Sequence, residues 1–171
     1  NIPTPKFCLI SDPREIQTSH LLSFPLFIKP NKGGCSRGID ERNPVFSKES
    51  CVEIVRNTIE QNHQPALVEE FISGREFTVG ILGNDPPLVL PILEFVYDAS
   101  EDKRFPFRNF NTKMIEYEEC EKTACPAILS KIEEDRIKNL ALDTYQVIGC
   151  RDYARIDIRC DNDGIPHVLE V

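Results

Sequence analysis

Residues 152–171 read Asp-Tyr-Ala-Arg-Ile-Asp-Ile-Arg-Cys-Asp-Asn-Asp-Gly-Ile-Pro-His-Val-Leu-Glu-Val. This stretch holds two segments of strand character, from Asp152 to Cys160 and from Pro166 to Val171. Between them lies Asn162-Asp163-Gly164, a strong turn signal. The stretch therefore predicts a β-hairpin at the end of the chain.

The turn fixes which residues of the hairpin face each other. If Asp163 and Gly164 are the two central residues of a type I′ turn, Asp157 lies directly opposite Glu170. Side chains alternate between the two faces of a strand, so Arg155, Asp157 and Glu170 share one face. The other face is predicted to enter the core and carries Ile156, Ile158, Leu169 and Val171.

The facing carboxylates of Asp157 and Glu170 predict a metal site. Two like charges directly opposite each other destabilise a sheet, and a divalent cation between them removes that penalty. Oxygen ligands suit Mg²⁺, which usually combines one or two carboxylates with substrate phosphates. The alternative is a solvent-exposed face on which acidic residues are merely tolerated, but Arg155 on the same face favours a site for an anion and a metal.

A second candidate site follows the predicted strand 24–29. The loop Asn31-Lys32-Gly33-Gly34-Cys35-Ser36-Arg37-Gly38 is rich in glycine and could cover phosphates with backbone N–H groups. It is neither a Walker A motif nor a Rossmann fingerprint, because the residue spacing of both motifs is absent. Lys29, at the end of the strand, could reach a phosphate, although a strand-end lysine extending into solvent is the alternative.

The remaining pattern predicts an α+β protein with mostly antiparallel sheets in two lobes. Strands are predicted over 66–71, 76–82 and 88–95, with a turn at Ser73-Gly74. One helix is predicted from the N-cap Ser47 to 62–65, and a second begins at the capping box Ser130 to Glu133 and ends at Gly149. The long loop over 97–112 is expected to be a mobile flap.

Composition excludes several classes of protein. A net charge of −8 disfavours a general nucleic-acid binder, which would show a basic field. The chain lacks an apolar run of about 18 residues, so we do not expect it to span a membrane. The seven cysteines are irregularly spaced and form no C-x-x-C pair, which argues against a zinc site. All but Cys35 are expected to be small buried hydrophobic residues in a reducing cytoplasm.

Five segments, in order, resemble the D-alanine–D-alanine ligases of the ATP-grasp superfamily. The segments, which span essentially the whole chain, are Phe27-Ile28-Lys29-Pro30 with Gly34-Cys35-Ser36-Arg37-Gly38, Val68-Glu69-Glu70-Phe71-Ile72-Ser73-Gly74-Arg75-Glu76-Phe77-Thr78-Val79, Asn111-Thr112-Lys113, Cys125-Pro126-Ala127, and Gly149-Cys150-Arg151-Asp152-Tyr153-Ala154-Arg155-Ile156-Asp157 with Leu169-Glu170-Val171.

The resemblance implies roles for individual residues. Lys29 and Lys113 would contact ATP phosphates under the loop of Gly34, Cys35, Ser36 and Gly38. Glu69 and the Phe71–Ile72 backbone would meet adenine, Glu70 would be a further nucleotide-binding residue, and Glu76 would bind the ribose hydroxyls. Asp157 and Glu170 would hold magnesium, and Arg155 and Lys113 would be catalytic, with Arg155 stabilising the transferring phosphoryl group. The ligands implied are ATP and Mg²⁺ or Mn²⁺.

The implied fold has a smaller ATP-grasp lobe, 1–74, and a larger lobe, 75–171, with the nucleotide between them. The implied activity is an ATP-dependent ligase that joins a carboxylate to an amine through an acyl phosphate. A kinase of the same superfamily, a non-catalytic ATP-binding module and a generic interaction domain are the alternatives. Expected partners are small carboxylates and amines such as amino acids, with a homodimer as an open alternative.

The chain departs from the family pattern in two ways. Cys35 and Met114 stand where the D-alanine ligases have a serine and a tyrosine that share a hydrogen-bonded triad, so use of D-alanine is left open. The resemblance also implies that an N-terminal domain precedes Asn1 and that a third magnesium ligand, an asparagine, follows Val171. We therefore expect this chain to be part of such an enzyme and inactive alone.

Overall fold

The computed structural model describes residues 1–17, 22–34, 36–40, 42–97 and 122–171. Cys35, Lys113, Met114 and all of the expected flap except Tyr97 lie outside the described residues. The described residues divide into two compact units. The N-terminal unit covers described residues from 6 to 71, and the C-terminal unit covers 1–5, 72–97 and 122–171.

The N-terminal unit is a small antiparallel sheet with a helix on one face. Its elements are β1 (Phe7–Ile10), a 3₁₀ helix (Pro13–Gln17), β2 (Leu26–Pro30), α1 (Lys48–Asn62) and β3 (Ala66–Glu70), and the strands lie in the order β1-β3-β2. The core between sheet and helix contains Ile28, Val68, Ile54 and Val55. Side chains alternate along the strands, so Lys29 and Glu69 lie on the face away from this core.

The C-terminal unit contains a larger antiparallel sheet and one long helix. Its elements are β4 (Glu76–Leu82), β5 (Leu88–Val89), β6 (Leu93–Val96), β7 (Lys122–Ala124), α2 (Lys131–Ile148), β8 (Tyr153–Cys160) and β9 (Pro166–Glu170). The sheet order is β7-β6-β4-β8-β9, and β5 pairs with β4 outside that path. Phe77, Val79, Ile156 and Ile158 form the core with the buried face of α2.

Both long helices begin and end as the sequence predicts. The Ser47 side chain accepts a hydrogen bond from the Ser50 backbone N–H at the start of α1. Ser130 and Glu133 form a complete capping box at the start of α2, and Gly149 ends that helix in a left-handed conformation. A capping side chain stabilises a helix by about 1 kcal/mol, so these local signals persist in the folded chain.

Two local predictions were wrong, and one strand was not predicted. Ser73-Gly74 does not close a hairpin, because β3 belongs to one sheet and β4 to the other. The predicted strand 88–95 is divided into β5 and β6 around Pro91, which has no N–H to donate to a ladder. Strand β1 was missed because its apolar residues do not alternate with polar ones, and Phe7 and Leu9 are in fact 60% and 49% exposed.

The described cysteines are less uniform than composition suggests. Cys51 and Cys160 are buried, whereas Cys125 is exposed, contrary to expectation. Burial raises the pKa of Cys51 to about 11, with a further contribution from Cys8, and burial likewise raises the pKa of Cys160 to about 11. Each unit thus has one of these thiols in its core.

No helix among the described residues is both long and apolar enough to cross a bilayer.

Asn43 gives a direct test of how the N-terminal sheet is held. Its buried side chain accepts from the Ile28 N–H at 2.8 Å and donates to the Ile28 carbonyl at 2.9 Å. Asn43→Ala would leave both backbone groups unpaired, and we expect it to lower the free energy of unfolding by about 2–3 kcal/mol. Urea denaturation followed by circular dichroism measures this loss. The exposed Asn31 provides a control, since Asn31→Ala removes an amide already in solvent; equal effects would contradict the assigned role.

Candidate functional site

The face of the C-terminal sheet that lies opposite α2 carries a connected group of charged side chains. Arg155 donates to Asp157 through two nitrogens, with Nε 2.9 Å from Oδ1 and Nη2 2.8 Å from Oδ2. Thr78 of the neighbouring strand β4 donates its hydroxyl to the same Oδ1 at 2.6 Å. Asp157 is mostly buried and Arg155 largely exposed, so the carboxylate is fixed while the guanidinium extends toward solvent.

Strands β8 and β9 bring Asp157 and Glu170 opposite each other, as the sequence predicts. The same two-residue turn also predicts that Ile158 faces Leu169, and this pairing was wrong. Ile158 lies opposite Val168, and a bulge between Asp157 and Ile158 shifts the register. Val168 therefore enters the core in place of Leu169, and Val171 is exposed. The cause is the connection between the two strands, which has three residues and not the two of a type I′ hairpin.

The turn is organised by the side chain of Asp161. The Asp161 N–H donates to the Ile165 carbonyl at 3.0 Å, so the loop between them has three residues. The Asp161 carboxylate accepts from the backbone N–H groups of Ile165 and Asp163, each at 2.9 Å. These bonds, led by that from Ile165, lower the pKa of Asp161. A three-residue loop shifts the pairing by one residue, and the bulge at Asp157 shifts it back.

The carboxylates of Asp157 and Glu170 have the chemistry that a magnesium ion requires. They supply hard oxygen donors on adjacent strands, and Glu170 is exposed. Within the residues that the structure describes, no three or more His, Cys, Asp or Glu side chains are grouped so that they could hold a metal ion by themselves. Two carboxylates suffice for an ion that takes its remaining ligands from phosphates and water, so this donor set fits Mg²⁺.

Glu76 is buried at the start of β4 and contacts Tyr97 and Arg159, neither of which is a predicted site residue. The Tyr97 hydroxyl donates to Glu76 Oε2 at 2.7 Å. Arg159 Nη1 lies 3.7 Å from the same oxygen, and Arg159 Nε donates to the Gly74 carbonyl at 3.3 Å. Strand alternation could have identified Thr78 and Arg159, since each lies two residues from a predicted site residue on the same strand. Tyr97 had no such signal.

The N-terminal unit holds a second, separate group of predicted residues. Lys29 Nζ lies 2.7 Å from Glu69 Oε2, and both side chains are largely buried. Phe27, opposite Glu69 in the sheet, stacks on Phe71 with ring centroids 6.1 Å apart. A lysine, a carboxylate and an aromatic pair therefore share the face of this sheet that α1 does not cover. Such a surface can accept both a flat ring and an anionic group.

The glycine-rich loop is anchored at both ends. The Gln64 side chain bonds both the N–H and the carbonyl of Lys32, at 2.5 and 2.8 Å. At the other end, Gly38 has φ +73°, and a Cβ there would lie 2.6 Å from Asn62 Oδ1. Between these ends the chain makes two turns, in which Arg37 N–H bonds Gly34 O and Ile39 N–H bonds Ser36 O. Gly34 is exposed, so the loop presents backbone to solvent.

The other predicted nucleotide contacts follow β3. Glu70 ends that strand, where it accepts from the Ser23 N–H at 2.8 Å and lies 3.8 Å from Lys6 Nζ. The Phe71 N–H donates to the Pro25 carbonyl at 2.9 Å, and Ile72 is half-buried. Glu70 is thus occupied by structural contacts with Ser23 and Lys6. Lys113 and Cys35, also predicted for the site, lie outside the described residues.

Comparison with known proteins points to the D-alanine–D-alanine ligases. The profile of the family described as "D-ala D-ala ligase C-terminus" matches residues 2–171. D-alanine--D-alanine ligase of Methylacidiphilum infernorum (isolate V4) is 32% identical over 171 residues, which cover 99% of this chain and 50% of that protein. D-alanine--D-alanine ligase B of Clostridium perfringens (strain 13 / Type A) is 31% identical over 173 residues, which cover 100% of this chain and 52% of that protein.

A solved structure shows the same fold. The D-alanine--D-alanine ligase from Bacillus anthracis complexed with ATP superposes with a TM-score of 0.73 at 24% identity, covering 99% of this chain and 48% of that one. The predicted α+β architecture of ATP-grasp ligases is therefore confirmed. The chain spans about half the length of the curated relatives it matches.

Gly74 tests how closely the segment before Glu76 packs on the hairpin. A Cβ at Gly74 would lie 2.3 Å from the Cys160 carbonyl oxygen and 2.9 Å from that of Asp161, and both are backbone atoms. We expect Gly74→Ala to destabilise the chain by about 3 kcal/mol, at the upper end of the usual range for overpacking. The midpoint of urea unfolding measures this effect.

Gly149→Ala is the matched control for Gly74→Ala. Gly149 has φ +76°, but a Cβ there meets nothing within 4 Å. Only the left-handed conformation is penalised at this site, so the expected cost is about 1 kcal/mol. Equal destabilisation by the two variants would show that the approach of Gly74 to Cys160 is not close.

Proposed function

Because the chain belongs to the family of the D-alanine–D-alanine ligase C-terminal domain, we propose that it is the nucleotide-binding part of an ATP- and Mg²⁺-dependent carboxylate–amine ligase. The observation that carries the proposal is the pairing of Asp157 with Glu170 across β8 and β9, with Arg155 bonded to Asp157 on the same face. These are the residue types that a phosphoryl-transfer site needs: carboxylates for a metal and a guanidinium for developing negative charge.

In the proposed reaction, a carboxylate oxygen of the first substrate attacks the γ-phosphorus of ATP. The new O–P bond gives an acyl phosphate, and the bond from phosphorus to the β–γ bridging oxygen breaks to release ADP. The amine of the second substrate then attacks the acyl carbon, a C–N bond forms, and phosphate leaves as the nitrogen loses a proton. The protein contributes positioning and charge neutralisation, as in other phosphoryl transfers.

The residues of the C-terminal unit divide these tasks. Asp157 and Glu170 would hold Mg²⁺, which when bound neutralises phosphate charge. Thr78 fixes the Asp157 carboxylate through its short hydrogen bond. Arg155 would stabilise the transferring phosphoryl group, and its exposed guanidinium can turn toward a ligand while its backbone stays in the sheet. Glu76 would accept hydrogen bonds from the ribose hydroxyls.

The residues of the N-terminal unit, together with Ile72 directly after it, would contact the base and the phosphates. Lys29 would contribute a point charge to phosphate, and the loop of Gly34, Ser36 and Gly38 would close over the phosphates. Glu69 would accept from the adenine amino group, and the backbone of Phe71 and Ile72 would flank the ring. Lys29 and Glu69 form a short ion pair whose side chains are already partly desolvated. Phosphate binding would draw the Lys29 ammonium away from Glu69.

Lys113 and Cys35 lie outside the described residues. Lys113, as a second phosphate ligand and catalytic cation, and Cys35, in the loop, are assigned by resemblance. The substrates would be small carboxylates and amines such as amino acids. Mn²⁺ in place of Mg²⁺, a homodimer, the division into lobes at residue 74 and a cytoplasmic location stay predictions.

The first test is calorimetric titration of the chain with ATP in the presence and absence of Mg²⁺. We expect binding that strengthens with Mg²⁺ and an Asp157→Asn/Glu170→Gln variant that loses this dependence, because amides replace the anionic oxygen ligands. The control is Asp143→Asn/Asp163→Asn, which removes two exposed carboxylates of the same unit and should bind as the unaltered chain does. Mg²⁺-dependent binding that survives in the first variant would contradict the proposed ligands.

Product analysis separates the ligase from the kinase alternative. The protein that carries this chain is incubated with ATP, Mg²⁺ and candidate amino acids, and the products are identified by mass spectrometry. A ligase yields ADP, phosphate and a new amide in equal amounts. A phosphorylated substrate without an amide would identify a kinase, and ATP binding without turnover of any carboxylate would favour the non-catalytic module.

A further inference from the structure

Glu76, at the start of β4, is a largely buried carboxylate that contacts a tyrosine and an arginine. Its side chain is 12% exposed, and that of Arg159 is 4% exposed. Tyr97 Oη lies 2.7 Å from Glu76 Oε2, and Arg159 Nη1 lies 3.7 Å from the same oxygen. Both neighbours therefore contact one oxygen of the carboxylate, whereas no described residue donates a hydrogen bond to Oε1.

This asymmetry has a physical consequence. The terminal torsion of a glutamate side chain is broad, so an unrestrained carboxylate rotates and exchanges its two oxygens. A hydrogen bond and a nearby cation on Oε2 favour the single orientation in which Oε2 faces Tyr97 and Arg159. The other oxygen is then presented in a fixed direction, already partly desolvated, where a donor can bind it at little additional cost in ordering.

The two neighbours are themselves fixed by different parts of the sheet. Arg159 lies directly opposite Glu76 in the pairing of β8 with β4, and its Nε donates to the Gly74 carbonyl. Tyr97 directly follows β6, the strand on the other side of β4. Glu76 is therefore held from both flanking strands, and Arg159 lies on the strand that also carries Asp157.

We propose that Arg159 and Tyr97 are positioning residues that hold Oε2 of Glu76 so that Oε1 accepts hydrogen bonds from the vicinal hydroxyls of a nucleotide ribose. The inference rests on the proposed function, in which Glu76 meets the ribose. It adds that recognition of the ribose depends on two side chains that do not touch the nucleotide. Their removal should therefore affect nucleotides that carry the hydroxyls and spare those that lack them.

The experiment compares the affinities of ATP and 2′,3′-dideoxy-ATP for the chain by calorimetry with Mg²⁺. In the unaltered chain ATP should bind more tightly. Tyr97→Phe removes one hydrogen bond to Oε2 and should weaken ATP binding by roughly 3–10-fold while leaving 2′,3′-dideoxy-ATP binding unchanged. Tyr153→Phe alters an exposed tyrosine of β8 and should change neither affinity.

Arg159 is tested by two substitutions. Arg159→Met leaves the buried Glu76 without its cation and can destabilise the fold, so thermal unfolding is measured alongside binding. Arg159→Lys keeps the charge and should restore part of the preference for ATP over the dideoxy analogue. That preference is a ratio of two affinities of one protein, and a purely structural loss would lower both affinities together.

The outcomes separate the inference from the proposed function. Absence of ATP binding by the unaltered chain would overturn both. If ATP binds and Glu76→Gln removes the preference for the ribose hydroxyls, but Tyr97→Phe leaves that preference intact, the proposed function stands and the positioning role is refuted. If Tyr97→Phe weakens the binding of ATP and of 2′,3′-dideoxy-ATP equally, the positioning role is refuted as well. An unchanged preference for ATP over the dideoxy analogue in Glu76→Gln would also refute it.

Discussion

Burial of two isoleucines on β8 is the constraint on which the C-terminal site depends. Ile156 and Ile158 are fully buried between the sheet and α2. Because side chains alternate, Arg155, Asp157 and Arg159 must lie on the opposite face. A slip of one residue would move Asp157 into the core, and a buried, unpaired carboxylate costs several kcal/mol. The apolar core therefore determines where the charges lie, independently of any ligand.

Strand β4 repeats the same arrangement beside it. Phe77 and Val79 enter the core, and Glu76 and Thr78 lie on the face shared with the charged residues of β8. Two carboxylates of this face are held by a neighbour on an adjacent strand, Asp157 by Thr78 and Glu76 by Arg159. Groups fixed in this way lose little freedom when they bind a ligand, which favours a site that is formed before the ligand arrives.

The sequence predicted the elements whose signals are local and missed those that depend on packing. Helix caps such as Ser47 need only a few neighbouring residues, and they formed as predicted. The pairing of Asp157 with Glu170 was predicted from a two-residue turn, yet it arises from a three-residue loop and a bulge that cancel each other. Residue spacing cannot distinguish these solutions. The contact of Tyr97 with Glu76 joins β4 to the residue that follows β6, and it had no sequence signal at all.

The buried thiols of the two cores have a practical consequence. Cys51 lies in the core of the N-terminal unit and Cys160 in that of the C-terminal unit, and burial raises the pKa of both to about 11. Alkylation requires an accessible thiolate, so neither reacts at neutral pH until its own core opens. The chain thus contains a native chemical probe in each half, and the rates of modification of the two cysteines give the free energies of local unfolding separately.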